Sequence, residues 1–176
     1  MIKVFSFRPE YFNNNGDQGN LEALSHFTNQ TVELVELETA DFALVGDGSR
    51  AALREFTSEL EALVPALQQR LDAGKPTLLV GSAYEFFAPR LSGLPVLKHG
   101  NRLSEFREVR AGSISVKGYR NTEVIDADLF ISGHFVATTM YGPVLAKNIE
   151  LLKHMASGLS LEVNVSERQR SWISKL

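Results

Sequence analysis

Three groups of residues in this chain have types and spacing that could do chemistry. Ser82 lies in Gly81-Ser82-Ala83-Tyr84-Glu85, a turn of small residues directly after the apolar run Thr77 to Val80. In that setting a strand-to-helix elbow presents a nucleophilic hydroxyl, and its base would have to be His134 or His99. Asp17, Asp47 and Glu85 are carboxylates in or beside turns, and carboxylates ligate hard cations. Gly16, Gly19, Gly46 and Gly48 fall where loops feed helices, and amides at such points attract anions.

Each group also has a plainer reading. A serine without a well-placed base is a poor nucleophile, and Ser82 then becomes a small residue in a tight turn. The spacing of the three carboxylates matches no metal motif, so no metal is expected, and no cofactor either. Without a G-x-x-x-x-G-K-[ST] run, the glycines read as turns needing positive φ. His134, between strand-like pieces, reads as a hydrogen-bonded structural histidine, and His26, His99 and His154 as surface residues.

The elements that must position these groups follow from periodicity. Ile2 to Phe7 reads as a buried strand, Asn13 to Asn20 as a turn-rich loop and Leu21 to Phe27 as a short helix. Thr31 to Leu37 alternates like a half-exposed strand, and Phe42 to Val45 is an apolar run closed by Gly46-Asp47-Gly48. Leu53, Phe56, Leu60, Leu63, Leu67 and Leu71 recur every three or four residues, which predicts one helix over Ser49 to Ala73, stopped at Gly74-Lys75-Pro76. Thr77 to Val80 is a further buried strand. Leu94 to Ala127 holds short β-like pieces (Phe106 to Val109, Ser113 to Val116), an antiparallel excursion. Asp128 to Ile131 and Val136 to Met140 read as late strands, and Ala146 to Ala156 as a helix. The order predicts an α/β fold with a three-layer, doubly wound, mostly parallel sheet, whose ligand site lies at the carboxyl ends of the strands.

The 176 residues, 44% hydrophobic, fit a single domain spanning 1–176. Its polar tail, 157–176 with Trp172, is left as either a partner-facing or a loosely docked segment. A net charge of −3 and scattered Lys and Arg lack the footprint of a nucleic-acid binder. The absence of cysteine excludes disulfides, thiolate metal sites and cysteine nucleophiles. The N-terminus is interrupted by Arg8 and Pro9, too early for a signal peptide, and no apolar run reaches the roughly 18 residues of a membrane span. A cytoplasmic protein without membrane contact is the expectation.

Four ordered segments carry a family resemblance. Tyr11-Phe12-Asn13-Asn14-Asn15-Gly16-Asp17-Gln18-Gly19-Asn20 resembles the early Y-G-D-x-G-N signature of CobB/CobQ-type (cobyric-acid-synthase class) glutamine amidotransferases, the class I amidotransferase fold. Leu79-Val80-Gly81-Ser82-Ala83-Tyr84-Glu85 is similar to their nucleophile elbow, Val-Cys-Gly-Gly-Tyr-Gln, and matching the tyrosine puts Gly81 at the cysteine. Gly118-Tyr119-Arg120-Asn121 resembles G-F-E-N-H, and Tyr141-Gly142-Pro143-Val144-Leu145-Ala146-Lys147-Asn148 resembles H-G-P-x-L-x-K-N, with Tyr141 at the catalytic histidine. The loop at Gly46 to Gly48 looks like the element whose backbone N–H groups line the glutamine pocket, with Asp47 where a glycine is usual.

The resemblance implies a pocket lined by Gly46, Asp47, Gly48, Gly81, Ser82, Tyr84, Glu85, Asn121 and Tyr141, with no catalytic residue at the degenerate positions Gly81 and Tyr141, and Ser82 as the fallback nucleophile. Amide hydrolysis in this class needs a thiolate and a histidine that accepts its proton. It therefore implies a catalytically inactive binding, scaffold or regulatory module. Family members work beside an ATP-dependent ligase that consumes their ammonia, so a ligase-type partner or self-association is expected, and glutamine or a related small molecule remains a possible ligand. The rival reading is altered chemistry at the same pocket through Ser82, Tyr141 or Glu85. A pocket plugged by Tyr141 and Tyr84 favours the first reading; an open cavity with Ser82 bonded to a base favours the second.

Overall fold

Four short apolar runs set the architecture. A computed structural model describes residues 1–175 of the chain, with strands β1 (Ile2–Ser6), β2 (Val32–Leu34), β3 (Phe42–Val45), β4 (Thr77–Val80), β5 (His99–Ala111), β6 (Ile114–Val124), β7 (Leu129–Ser132) and β8 (Phe135–Thr138). The helices are α1 (Gly19–Thr28), α2 (Arg50–Glu55), α3 (Thr57–Ala62), α4 (Val64–Asp72), α5 (Ser82–Phe87), α6 (Val144–Lys147), α7 (Ile149–Ser157) and α8 (Glu167–Ile173). Six strands form one sheet in the order β2-β1-β3-β4-β8-β7, all parallel except β7, which runs antiparallel to β8; β5 and β6 form a separate hairpin.

The apolar runs are buried on both faces because the pleat sends alternate residues to opposite sides. Val4, Phe42, Leu44, Leu78, Val80 and Val136 join α1, α7 and Val116 of the hairpin in one core. Ala43, Val45, Leu79, Phe135 and Ala137 join α4, α5 and Phe12 in the other. The result is a three-layer α/β structure around a mostly parallel sheet, as the alternation of elements in the sequence predicts.

Several boundaries differ from that prediction. The helix expected over Ser49 to Ala73 is three segments, broken at Phe56 (φ −99°, ψ 16°) and Leu63. Thr57 turns its hydroxyl back to the Leu53 carbonyl (2.6 Å), and Pro65 has no N–H for the preceding turn. The helix expected from Ala146 is split into α6 and α7 by Asn148 (φ −130°), whose amide bonds Lys117 and Val144 backbone groups instead. The strand expected over Thr31 to Leu37 shortens to β2 and is followed by a 3-10 turn at Leu37–Thr39, and the last strand starts one residue earlier and ends two earlier than predicted, with Met140 beyond it. The antiparallel excursion is one long hairpin closed by Gly112 at φ +59°.

A buried ion pair fastens this hairpin. Arg120, 1% exposed, bonds Asp128 (2.6 Å) and Glu105 (2.7 Å), and Thr139 donates to the same Asp128 oxygen (2.6 Å). In the tail, Leu159, Leu161, Val163 and Val165 pack on the first core, Asn164 N–H donates to the Phe27 carbonyl (2.7 Å), and a Ser166/Gln169 capping box starts α8. Ile173 is buried, whereas Trp172 is 64% exposed. No helix among the described residues is long and apolar enough to cross a membrane.

Candidate functional site

Three loops leave the carboxyl ends of β1, β3 and β4, where a doubly wound sheet places its ligands. Asp47, on the β3 loop, ties them together. Its Oδ1 accepts the Ser82 N–H (2.9 Å), its Oδ2 accepts the side-chain amides of Asn15 (3.0 Å) and Asn14 (3.3 Å), and its carbonyl accepts the Asn14 N–H (3.1 Å).

Gly81 forms the strand-to-helix elbow between β4 and α5 at φ 58°, ψ −120°, a conformation open to glycine and strained for other residues. A Cβ added here would lie 2.5 Å from Asp47 Oδ1 and 3.0 Å from Tyr141 Cε1. The space a side chain would use at the elbow is thus filled by Asp47 and Tyr141.

Ser82 is bonded twice to one residue: its hydroxyl donates to the Gly48 carbonyl (2.9 Å) and accepts the Gly48 N–H (2.8 Å). In acyl-transfer sites built on such an elbow, the N–H after the nucleophile and one from a neighbouring loop stabilise the oxyanion. Here the Ser82 and Gly48 N–H groups face Asp47 Oδ1 and Ser82 Oγ. His134 instead approaches Ser157 Oγ (3.3 Å) and stacks on His154.

Tyr141 donates its hydroxyl to the Asn121 carbonyl. Burial, followed by the charges of Asp47 and Glu85, pushes its phenol up to about 12, so at neutral pH it holds its proton and cannot serve as a base. Beneath Asp47 lies Asp17, fully buried, with no well-aligned donor on either carboxylate oxygen; the backbone N–H groups of Asp47, Asn15 and Asp17 lie close enough only to offset burial in part. Burial first, and the Asp47 charge second, push its carboxyl up to about 7.

The open space above these groups is a cavity of about 300 Å³. Of the residues expected at the pocket, Asp47, Gly48, Ser82, Glu85, Asn121 and Tyr141 line it. Three do not. Gly46 is packed against the Phe12 backbone and Asp17, Gly81 lies under Asp47, and Tyr84 is buried in the second core with its hydroxyl bonded to the Ala127 carbonyl (3.0 Å). Tyr84 therefore cannot plug the pocket, because its ring points into the sheet layer. Asn14, Arg50, Arg102, Thr122 and Glu123 line the cavity without having been singled out. Arg50 and Arg102 meet Glu123 at 3.5 and 4.0 Å at its mouth, and Thr122 donates to Glu85 (2.6 Å); these contacts join segments far apart in sequence. No cluster of three or more metal-ligating side chains occurs among the described residues. A larger apolar cleft of about 590 Å³, lined by Phe27, Pro143, Trp172 and Ile173, lies away from the elbow.

No protein-family model matches the chain, and no curated protein matches it by sequence. Among solved structures it is similar to the crystal structure of a glutamine amidotransferase from Thermotoga maritima, with a TM-score of 0.56 and 14% identity, covering 99% of this chain and 84% of that one. The chain has a glutamine-amidotransferase-like α/β fold.

Proposed function

We propose that this protein is a CobB/CobQ-type amidotransferase-like module without glutaminase activity, whose nucleophile and base positions are held by Gly81 and Tyr141. The observation that carries this reading is the filled elbow. Gly81 keeps the strained backbone of a nucleophile turn, yet Asp47 and Tyr141 occupy the volume its side chain would need. Three further features support it: the oxyanion-type N–H donors are internally bonded, the Ser82 hydroxyl has only Gly48 backbone as partner, and Tyr141 stays protonated at neutral pH. The module acts in the cytoplasm as a scaffold or regulator beside an ATP-dependent ligase-type partner, and the remaining cavity admits at most a small polar ligand such as an amino acid.

The test is ammonia release from glutamine by the purified chain, with a cysteine-bearing glutaminase as positive control. The expected result is release no greater than the buffer blank. Turnover that disappears in Ser82→Ala would overturn the reading and make Ser82 a substitute nucleophile.

A further inference from the structure

The long hairpin leaves one strand edge open. Ala111 pairs with Ile114 across the two-residue turn, and the same register continues to Leu103 opposite Thr122. Odd-numbered residues of β5 therefore spend their backbone groups on β6, while the N–H and C=O groups of Arg102, Ser104, Phe106, Glu108 and Arg110 point to the other edge. No backbone or side-chain partner for those outer groups occurs among the described residues. Odd side chains face the protein: Glu105 bonds Arg120, Arg107 bonds Asp128 (3.1 Å) and Val109 packs on the first core. Even side chains from Ser104 to Arg110 face solvent, with Phe106 56% and its cross-strand neighbour Tyr119 43% exposed, whereas Arg102 donates to Asn121 Oδ1 (3.0 Å) at the cavity mouth.

An exposed edge of this length is a template for strand pairing, and natural proteins guard such edges with charge. The order of charges on β5 guards this one selectively. In an antiparallel pair of two copies with the two-fold axis at Phe106, Glu105 opposes Arg107 twice, Leu103 opposes Val109 twice, and Ser104 opposes Glu108 twice. The outward-pointing backbone groups of Phe106 then form the hydrogen-bonded pair that this axis requires. Centring on Glu105, Arg107 or Glu108 sets like charges face to face, and centring on Val109 halves the overlap; centring on Leu103 or Ser104 avoids like charges but gains no opposite-charge pair and runs into the irregular stretch between His99 and Leu103. One mismatch remains: Arg102 opposes Arg110 at each end.

We propose that β5 is a homodimer interface, two copies of this chain joining their hairpins edge to edge into a four-stranded antiparallel sheet with the axis at Phe106. The paired segment is about 30 Å long, and the two Phe106 rings stack beside Tyr119 at its centre. This rests on the hairpin alone and stands or falls independently of glutaminase activity.

Sedimentation equilibrium of the full chain at micromolar concentrations tests it, with dimer expected at twice the 19.5 kDa chain mass. Phe106→Lys, which places two ammonium groups at the axis, should give monomer. Arg110→Glu, which turns both terminal mismatches into opposite pairs, should tighten the dimer about tenfold. Both side chains face solvent, so circular dichroism and thermal melting should show the variants folded. A monomer at every concentration overturns the proposal, as does a dimer indifferent to Phe106→Lys or weakened by Arg110→Glu.

Discussion

Arg70 and Asp17 both carry charge-bearing groups with almost no exposed surface, 4% and 0%, at opposite ends of the same sheet. At the amino end, Arg70 uses four of its five donors: Nε donates to Thr77 Oγ1 (2.9 Å), Nη1 to the Ala40 carbonyl (2.8 Å), and Nη2 to the carbonyls of Pro76 (2.7 Å) and Asp41 (3.1 Å). It ties the entries of β3 and β4. At the carboxyl end, Asp17 has no side-chain partner and no well-aligned hydrogen bond, only the backbone N–H groups of Asn15, Asp17 and Asp47 nearby, and it faces a second carboxylate. The contrast separates a stability device from a site. A satisfied buried charge holds the fold together, whereas an unsatisfied one persists where the fold places its ligands, at a cost in stability.

The largest expected loss of stability is at the amino end. Arg70→Met removes four hydrogen bonds at once, leaving the buried Ala40 carbonyl without a donor and the Pro76 carbonyl with only the Ala43 N–H (3.1 Å), which should destabilise the fold by about 4 kcal/mol in urea unfolding. A loss under about 1 kcal/mol would mean that water replaces the guanidinium and that Arg70 is no tie.

Asp17 should respond with the opposite sign. Its folded pKa, about 7, lies above the ordinary aspartate value, so the folded state prefers the protonated form. The stabilisation is complete below about pH 4 and is lost as pH rises through 7. Asp17→Asn, neutral throughout, escapes that loss. The variant should gain on the wild type by about 4 kcal/mol at pH 8, and the gap should close towards pH 4. Parallel unfolding curves at the two pH values check the sign, and a gap independent of pH would show that Asp17 does not titrate in this range.

The elbow sharpens the same contrast with a smaller effect. Gly81→Cys should cost about 2 kcal/mol, because the residue sits at φ 58° and its Cβ meets Asp47. Adding Asp47→Gly should recover about 1 kcal/mol of that in a double-mutant cycle. Additive losses would mean that Asp47 does not fill the elbow.

Much of the frame was legible in the residues. Phe42–Val45 and Thr77–Val80 are strands over the ranges expected, because four apolar residues bounded by turn formers leave little freedom where both faces are buried. The breaks at Phe56 and Asn148 were not legible: leucines at helical spacing do not report a threonine hydroxyl turned back on its own helix, or an asparagine recruited by the hairpin backbone. At the site, the residues expected at the pocket include Asp47, Ser82 and Tyr141, and the structure sets these three around the strand-to-helix turn at Gly81. The resemblance misplaced Tyr84, since a tyrosine matched to a motif does not state which way its ring points. Asp17 was visible only as a turn residue, because burial without a partner is a property of the packed loops and of no local pattern.

The smallest effect separates the two readings of Ser82. As a tie between the β3 and β4 loops, its hydroxyl makes two bonds to Gly48, so Ser82→Ala should cost about 1 kcal/mol of stability. Nothing catalytic should change with it, because the hydroxyl proton is already donated to the Gly48 carbonyl and no base stands in line. Ser82→Thr, which keeps the hydroxyl, should recover part of the loss if its extra methyl is accommodated. A stability unchanged by Ser82→Ala, together with any ester or amide turnover that it abolishes, would turn this residue from a loop tie into a nucleophile and make the filled elbow irrelevant to activity.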